Sequence, residues 1–181
     1  IVFAALILAI AIDSSRGFFD QAPQVSSLPV KENFFPPQFA LARQATNLSS
    51  VGDRGSFLKS FDSGQTWVQN NLPTDELLSD ILVTDKDTLL VVGHEAFLAR
   101  SEDQGQSWQV VSELPEPQEH LFRLSQLGSG KILALGAFGY FLVSQDDGRT
   151  WRRVELSDQM PHLYGVSKSP KLRVSGEFGR V

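Results

Sequence analysis

Three aspartates, Asp62, Asp103 and Asp146, recur 41 and 43 residues apart, each inside the same eight-residue motif. The copies read SFDSGQTW from Ser60 to Trp67, SEDQGQSW from Ser101 to Trp108 and SQDDGRTW from Ser144 to Trp151, and they hold every tryptophan of the chain. A carboxylate in such a setting can ligate a cation, work as an acid or base, or tie down a turn. One identical carboxylate per repeat is dispersed around the molecule and cannot converge on one substrate, so the turn is the favoured role. The aspartate is expected to accept backbone N–H groups two or three residues on. Gly64, Gly105 and Gly148 supply a positive-φ position. Trp67, Trp108 and Trp151 each open the following strand, with the indole N–H on a carbonyl. Ser60, Ser101 and Ser144 complete the structural set.

Other residues capable of chemistry are scattered. Asp53, Glu95 and Glu177 offer a general acid/base pair only if blades bring them together across an axis. His94, His120 and His162 do not form a ligand set, and a metal site would need further donors. His120 and His162 both stand directly before a leucine that begins an inner strand, which makes them repeat-equivalent. Tyr140 and Tyr164 fall at positions expected to pack. No phosphate loop, nucleophile elbow or cysteine motif is present, and no cofactor is expected.

The elements that must carry these residues follow from the repeat. A glycine precedes each first serine by eight residues (Gly52, Gly93 and Gly136), and Gly176 starts a fourth copy. Short Val/Ile/Leu/Phe runs alternate with Gly, Asp and Ser clusters, an all-β pattern. A period of about forty residues is that of one four-stranded propeller blade. Labelling the strands A to D, the first unit predicts strands at 39–43, 47–51, 57–60 and 67–70. The second predicts 79–84, 88–92, 97–101 and 108–112, and the third 120–126, 131–135, 140–144 and 150–155. The fourth unit has A and B only.

The expected fold is a β-propeller of four-stranded antiparallel blades, at 38–70, 77–112, 120–156 and, in part, 162–181. That is about three and a half blades, and hence a fragment of a larger ring. Residues 13–37 read as a linker, within which 24–30 could supply a ring-closing strand.

The motif resembles the Asp-box of bacterial neuraminidase repeats. The longer unit, with its leading glycines, resembles the photosystem II stability and assembly factor-like propellers over residues 38–181. Ala96 departs from that pattern in place of the second glycine of its copy. The resemblance implies a seven-bladed ring that binds protein and assists assembly of a membrane complex at its extracytoplasmic side. In a phototroph that side is the thylakoid lumen. A sialidase-like glycoside hydrolase is the alternative. It would need clustered arginines, a Tyr/Glu nucleophile pair and a Phe/Tyr-Arg-Ile-Pro signature, which is absent.

Composition agrees with a folded, non-nucleic-acid-binding domain. The chain is 41% hydrophobic and 20% charged, with net charge −5 and pI near 5.2, the wrong sign for a polyanion partner. Residues 1–12 are uninterrupted apolar and fit the h-region of an export signal or a short anchor, predicting a periplasmic or equivalent location. The absence of cysteine neither favours nor opposes export. With the Asp-boxes committed to one end of each blade, the other end is left for a partner. It carries Asp53, Arg54, His94, Glu95, Phe138, Glu177 and Phe178, a largely acidic face on which Phe138 and Phe178 could serve as anchors. Arg54 is read as free to meet an acidic partner or to neutralise Glu95 of the next blade.

Overall fold

The computed structural model describes residues 35–156, 161–168 and 172–177. The apolar segment 1–12, the proposed closing strand at 24–30 and Phe178 lie outside the described residues. The repeats fall within one compact unit, Pro36–Val181.

That unit is all-β. The first blade comprises β1 (Gln38–Gln44), β2 (Asn47–Gly52), β3 (Ser56–Ser60) and β4 (Val68–Asn71). The second comprises β5 (Leu78–Val83), β6 (Leu89–Gly93), β7 (Leu98–Ser101) and β8 (Gln109–Val110). The third comprises β9 (Leu121–Gly128), β10 (Lys131–Gly136), β11 (Phe141–Ser144) and β12 (Arg152–Arg153). A two-stranded sheet of β13 (Leu163–Ser167) and β14 (Arg173–Gly176) begins the fourth. Each sheet is an antiparallel meander in chain order, and the first strands of successive blades are neighbours.

The strand sequences explain the layering. Strands β6 and β7 are buried along their whole length, whereas β4 and β8 are exposed. A central strand is apolar on both faces because alternate residues enter opposite inter-blade cores. Leu89 and Val91 of β6 pack with Val51 and Phe57 of the first blade. Leu90 and Val92, the intervening residues, pack with Leu121, Ile132 and Tyr140 of the third. Leu133, Leu135 and Phe141 repeat the arrangement against Leu163. Each such side chain contributes about 1.5–3 kcal/mol when fully buried. Stacking of blades, rather than any single sheet, therefore holds the unit together.

Two features of the frame go beyond the repeat pattern. The leading glycines are needed for close approach: a Cβ on Gly52, Gly93 or Gly136 would lie 1.9–2.3 Å from the carbonyl oxygen of Pro37, Leu77 or His120. The residue after each glycine donates its N–H to that same carbonyl, at 2.8–2.9 Å. Every first strand also carries a β-bulge at one equivalent place, with Phe39, Ser79, Phe122 and Tyr164 as the extra residues. Bulges re-aim a side chain, and three of these four are aromatic.

Candidate binding face

The Asp-box end is chemically closed. In the first box the Ser60 hydroxyl donates to Asp62 Oδ1 (2.8 Å) and accepts the Gly64 N–H (2.8 Å). Thr66 donates its N–H to Asp62 Oδ1 (2.8 Å) and its hydroxyl to Oδ2 (2.6 Å). The aspartate thus grips the backbone N–H four residues on, while the serine hydroxyl serves the nearer N–H groups; in the third box Asp146 also accepts the Arg149 N–H three residues on (3.1 Å), as expected. The other boxes repeat this with Ser101, Asp103 and Ser107 and with Ser144, Asp146 and Thr150.

These bonds hold the carboxyls of Asp62 and Asp103 down at about 2, chiefly through the hydroxyl and N–H of Thr66 and Ser107 and then the box serine. At Asp146 partial burial pushes upward, and the bonds from Thr150 and Ser144 outweigh it, again to about 2. Carboxylates so engaged by their own loop are turn anchors.

The turn holds two successive left-handed residues: Ser63 (φ 61°) and Gly64 (φ 92°), Gln104 and Gly105, Asp147 and Gly148. The box glycine has a second reason to lack a side chain. A Cβ on Gly105 would meet the Phe57 ring at 2.5 Å, and one on Gly148 would meet Leu90 at 2.7 Å. The tryptophans end the turn one residue before the last strand, so they do not open it. Trp67 and Trp151 donate to the carbonyls of Gly64 (3.0 Å) and Gly148 (3.1 Å). Trp108 departs from the expected pattern. Its N–H is buried without a partner, and the Phe57 ring stands edge-on to it at 5.3 Å.

Also outside the predicted face, Arg100 and Arg149 share the Glu102 carboxylate at 2.9 and 2.7 Å, beside a shallow cavity of about 300 Å³.

At the opposite end the turns between second and third strands adopt one conformation. Arg54 (φ 51°), Glu95 (φ 49°) and Phe138 (φ 47°) occupy the equivalent left-handed position, followed by Gly55, Ala96 and Gly139, also left-handed. Non-glycine residues there cost roughly 1 kcal/mol or more each. They are held by the bonds of Phe97 N–H to His94 O (2.9 Å) and Tyr140 N–H to Ala137 O (2.7 Å). The neighbouring blade adds further ties. Gly55 and Gly139 donate to the carbonyls of Glu76 and Pro161. His120 Nδ1 accepts the Glu95 N–H at 2.9 Å, and His162 Nδ1 accepts the Phe138 N–H at 3.3 Å.

The sequence-selected residues are therefore partly brought together. The His94 ring lies tilted against His120 (centroids 4.5 Å apart), whose Nδ1 lies 3.8 Å from the Glu95 carboxylate. Phe138 lies 4.6 Å from the His162 ring, which has Glu177 at 4.0 Å. Arg54 does not reach Glu95: its side chain is 81% exposed, and its contact is Asp53 at 3.9 Å on its own turn. Among the described residues Asp53 lies beside Arg54, Glu95 beside His120 and Glu177 beside His162.

Tyr140 is fully buried, donates to the Pro115 carbonyl (2.8 Å) and is pushed up to about 12 by burial, a packing residue rather than a nucleophile. Tyr164 contradicts the packing expectation. The bulge turns it outward, 51% exposed, where it stacks on Phe122 at 5.7 Å. Sequence reasoning missed Phe122 and Tyr164 on this face, and did not see that His120 and His162 cap turns of the preceding blade. The shared phase of His120 and His162 was the available signal.

With this geometry in view, likeness to known proteins becomes informative. The family model described as "Photosynthesis system II assembly factor YCF48" matches residues 59–166. The photosystem II assembly protein Ycf48 of Thermosynechococcus vestitus is 28% identical over 107 residues, 58% of this chain and 31% of that protein. The solved structure "YCF48 bound to D1 peptide" superposes with a TM-score of 0.63 at 19% identity, covering 75% of this chain and 45% of that one. YCF48 from Cyanidioschyzon merolae gives 0.61 at 18% identity, covering 74% and 47%. An ancestral GH74 enzyme shares the fold, at 0.60 and 20% identity over 74% of this chain and 20% of its own. The chain spans about a third of the curated relative and under half of each YCF48 structure.

Proposed function

The chain belongs to the photosystem II assembly factor YCF48 family, and from that premise we propose that it is a non-enzymatic protein-binding module of an assembly scaffold. Its partner is a membrane protein or complex engaged at the extracytoplasmic side, and the protein is exported to reach it. The related YCF48 bound to D1 peptide supports a protein partner. The observation that carries the reading is the contrast between the two blade ends. The Asp-box serines and aspartates are spent on their own turns, while Arg54, Glu95 and Phe138 stand outward on three equivalent turns held by the frame.

Site-specific photo-crosslinkers at positions 54, 95 and 138, compared with positions 65 and 106 in the boxes, test it in the native host. Crosslinks to one membrane protein from the first set alone are expected. Crosslinks from the box positions alone, or release of sugar from a sialoside or xyloglucan by the purified protein, would overturn the reading. Export is tested by locating the protein in fractionated cells, and recovery solely from the cytoplasm would refute it.

A further inference from the structure

Four aromatic rings meet at the junction of the third and fourth blades. His162 lies 4.6 Å from Phe138, 6.1 Å from Phe122 and 6.3 Å from Tyr164, and Phe122 stacks on Tyr164 at 5.7 Å. The bulges place Phe122 and Tyr164 there and the left-handed turn places Phe138, so the backbone displays the rings rather than burying them. Phe138 and Tyr164 are both 51% exposed.

A carboxylate adjoins the rings. Glu177 stands 4.0 Å from His162 Nε2, and its other oxygen accepts the His162 backbone N–H at 3.4 Å. Arg123, next to Phe122, is turned to Asp80 of the preceding blade at 3.9 Å. Among the described residues the cation–ring contacts fall elsewhere, Lys59 over Phe61 and Arg153 over Tyr140. The described turns and loops of this end (53–55, 72–77, 94–97, 111–120, 137–139, 154–156, 161–162 and 177) carry nine Asp and Glu against one basic residue, Arg54.

Ring faces attract cations through their quadrupole, most strongly where water is displaced. An apolar anchor seated here would strip water from the Glu177 carboxylate without bringing a charge to replace it, which is costly. An acidic segment would meet like charge. We propose that the Phe122–Phe138–His162–Tyr164 patch receives an arginine or lysine side chain of an extended segment of the partner protein, with Glu177 as counter-charge. The proposal rests on the protein-binding reading of this face and adds the chemistry of what is bound.

The test uses the whole chain and a phage-displayed library of random 12-residue peptides, panned in parallel on the wild type and on a Phe138→Leu/Tyr164→Leu variant. Both positions are half exposed, so the variant should keep its fold, as a matching melting curve would establish. Tyr164→Phe keeps the ring and serves as the conservative control.

Peptides retained by the wild type should be enriched in Arg and Lys, and the enrichment should vanish in the double variant and persist in Tyr164→Phe. For a selected peptide, exchange of its arginine for citrulline should weaken binding roughly fivefold or more. Glu177→Gln should weaken it in the same direction. Enrichment of acidic or uncharged peptides, equal binding of the citrulline form, no retained peptide, or indifference to the double variant would each overturn the cation assignment. If crosslinks from positions 95 and 138 persist in that event, the protein-binding reading stands alone. If they too are lost, or if a xyloglucan oligosaccharide occupies the rings instead, both fall.

Discussion

His120 Nδ1 lies 2.9 Å from the backbone nitrogen of Glu95 and accepts its N–H, so a side chain at the start of one blade fixes a turn of the blade before it. His162 does the same for Phe138 at 3.3 Å. The turns that carry Glu95 and Phe138 are thus positioned by inter-blade contacts and not by their own bonds alone.

Truncating that tie should loosen the turn without unfolding the blade. In His120→Ala, amide exchange at Glu95 is expected to quicken roughly fivefold, the loss of one hydrogen bond. Exchange at Phe138, tied to the other histidine, should stay as it was. Equal quickening at both amides would refute independent clasps.

The Asp-box makes a stability prediction. Asp103→Ala removes acceptors for the Ser107 N–H and the Ser101 hydroxyl and should cost about 1–3 kcal/mol in chemical denaturation. Ser101→Ala should cost a similar amount, since its hydroxyl also receives the Gly105 N–H at 2.8 Å. Crosslinking at positions 95 and 138 should survive in both variants while they remain folded.

The tryptophans separate packing from hydrogen bonding. Trp151→Phe leaves the Gly148 carbonyl without its indole partner, whereas Trp108→Phe deletes a donor that already lacks one. Trp151→Phe should therefore be the more destabilising, by about 0.5–1.5 kcal/mol. Equal costs would show that the Trp108 N–H is satisfied in solution.

The pH dependence has a definite sign. Asp62, Asp103 and Asp146 sit at about 2 in the folded chain, below the ordinary 3.8. A depressed carboxyl contributes stability that is fully present above its unfolded value and lost as pH falls through its folded one. The denaturation midpoint should drop between about pH 4 and pH 2, and the drop should shrink when the three aspartates are changed to asparagine. Asp80 runs the other way. Burial raises it against the N–H groups of Leu124 and Ile81 and the charge of Arg123, so its ionisation opposes folding as pH rises. Asp80→Asn should steepen the acid loss of stability slightly, and a flatter profile would contradict that sign.

Much of the fold was decided by sequence near at hand. The box binds itself within eight residues, Ser60 to Trp67, so its turn, and with it the phase of every blade, can be read from one copy. The central strands announce themselves because both faces are apolar, as in Leu89 to Val92. The last strands were shorter than expected at Gln109–Val110 and Arg152–Arg153, exposed edges that packing does not enforce.

Only the tertiary structure decided which side chains meet at the end opposite the Asp-boxes. Bulge residues are set by register against a neighbouring strand, so nothing local marks Tyr164 as outward while Tyr140 is buried. The ties from His120 and His162, the edge contact of Phe57 with Trp108 and the reach of Arg149 to Glu102 all join residues distant in sequence. Their energies exist only once blades stack, because each depends on burial or alignment that a single blade does not provide.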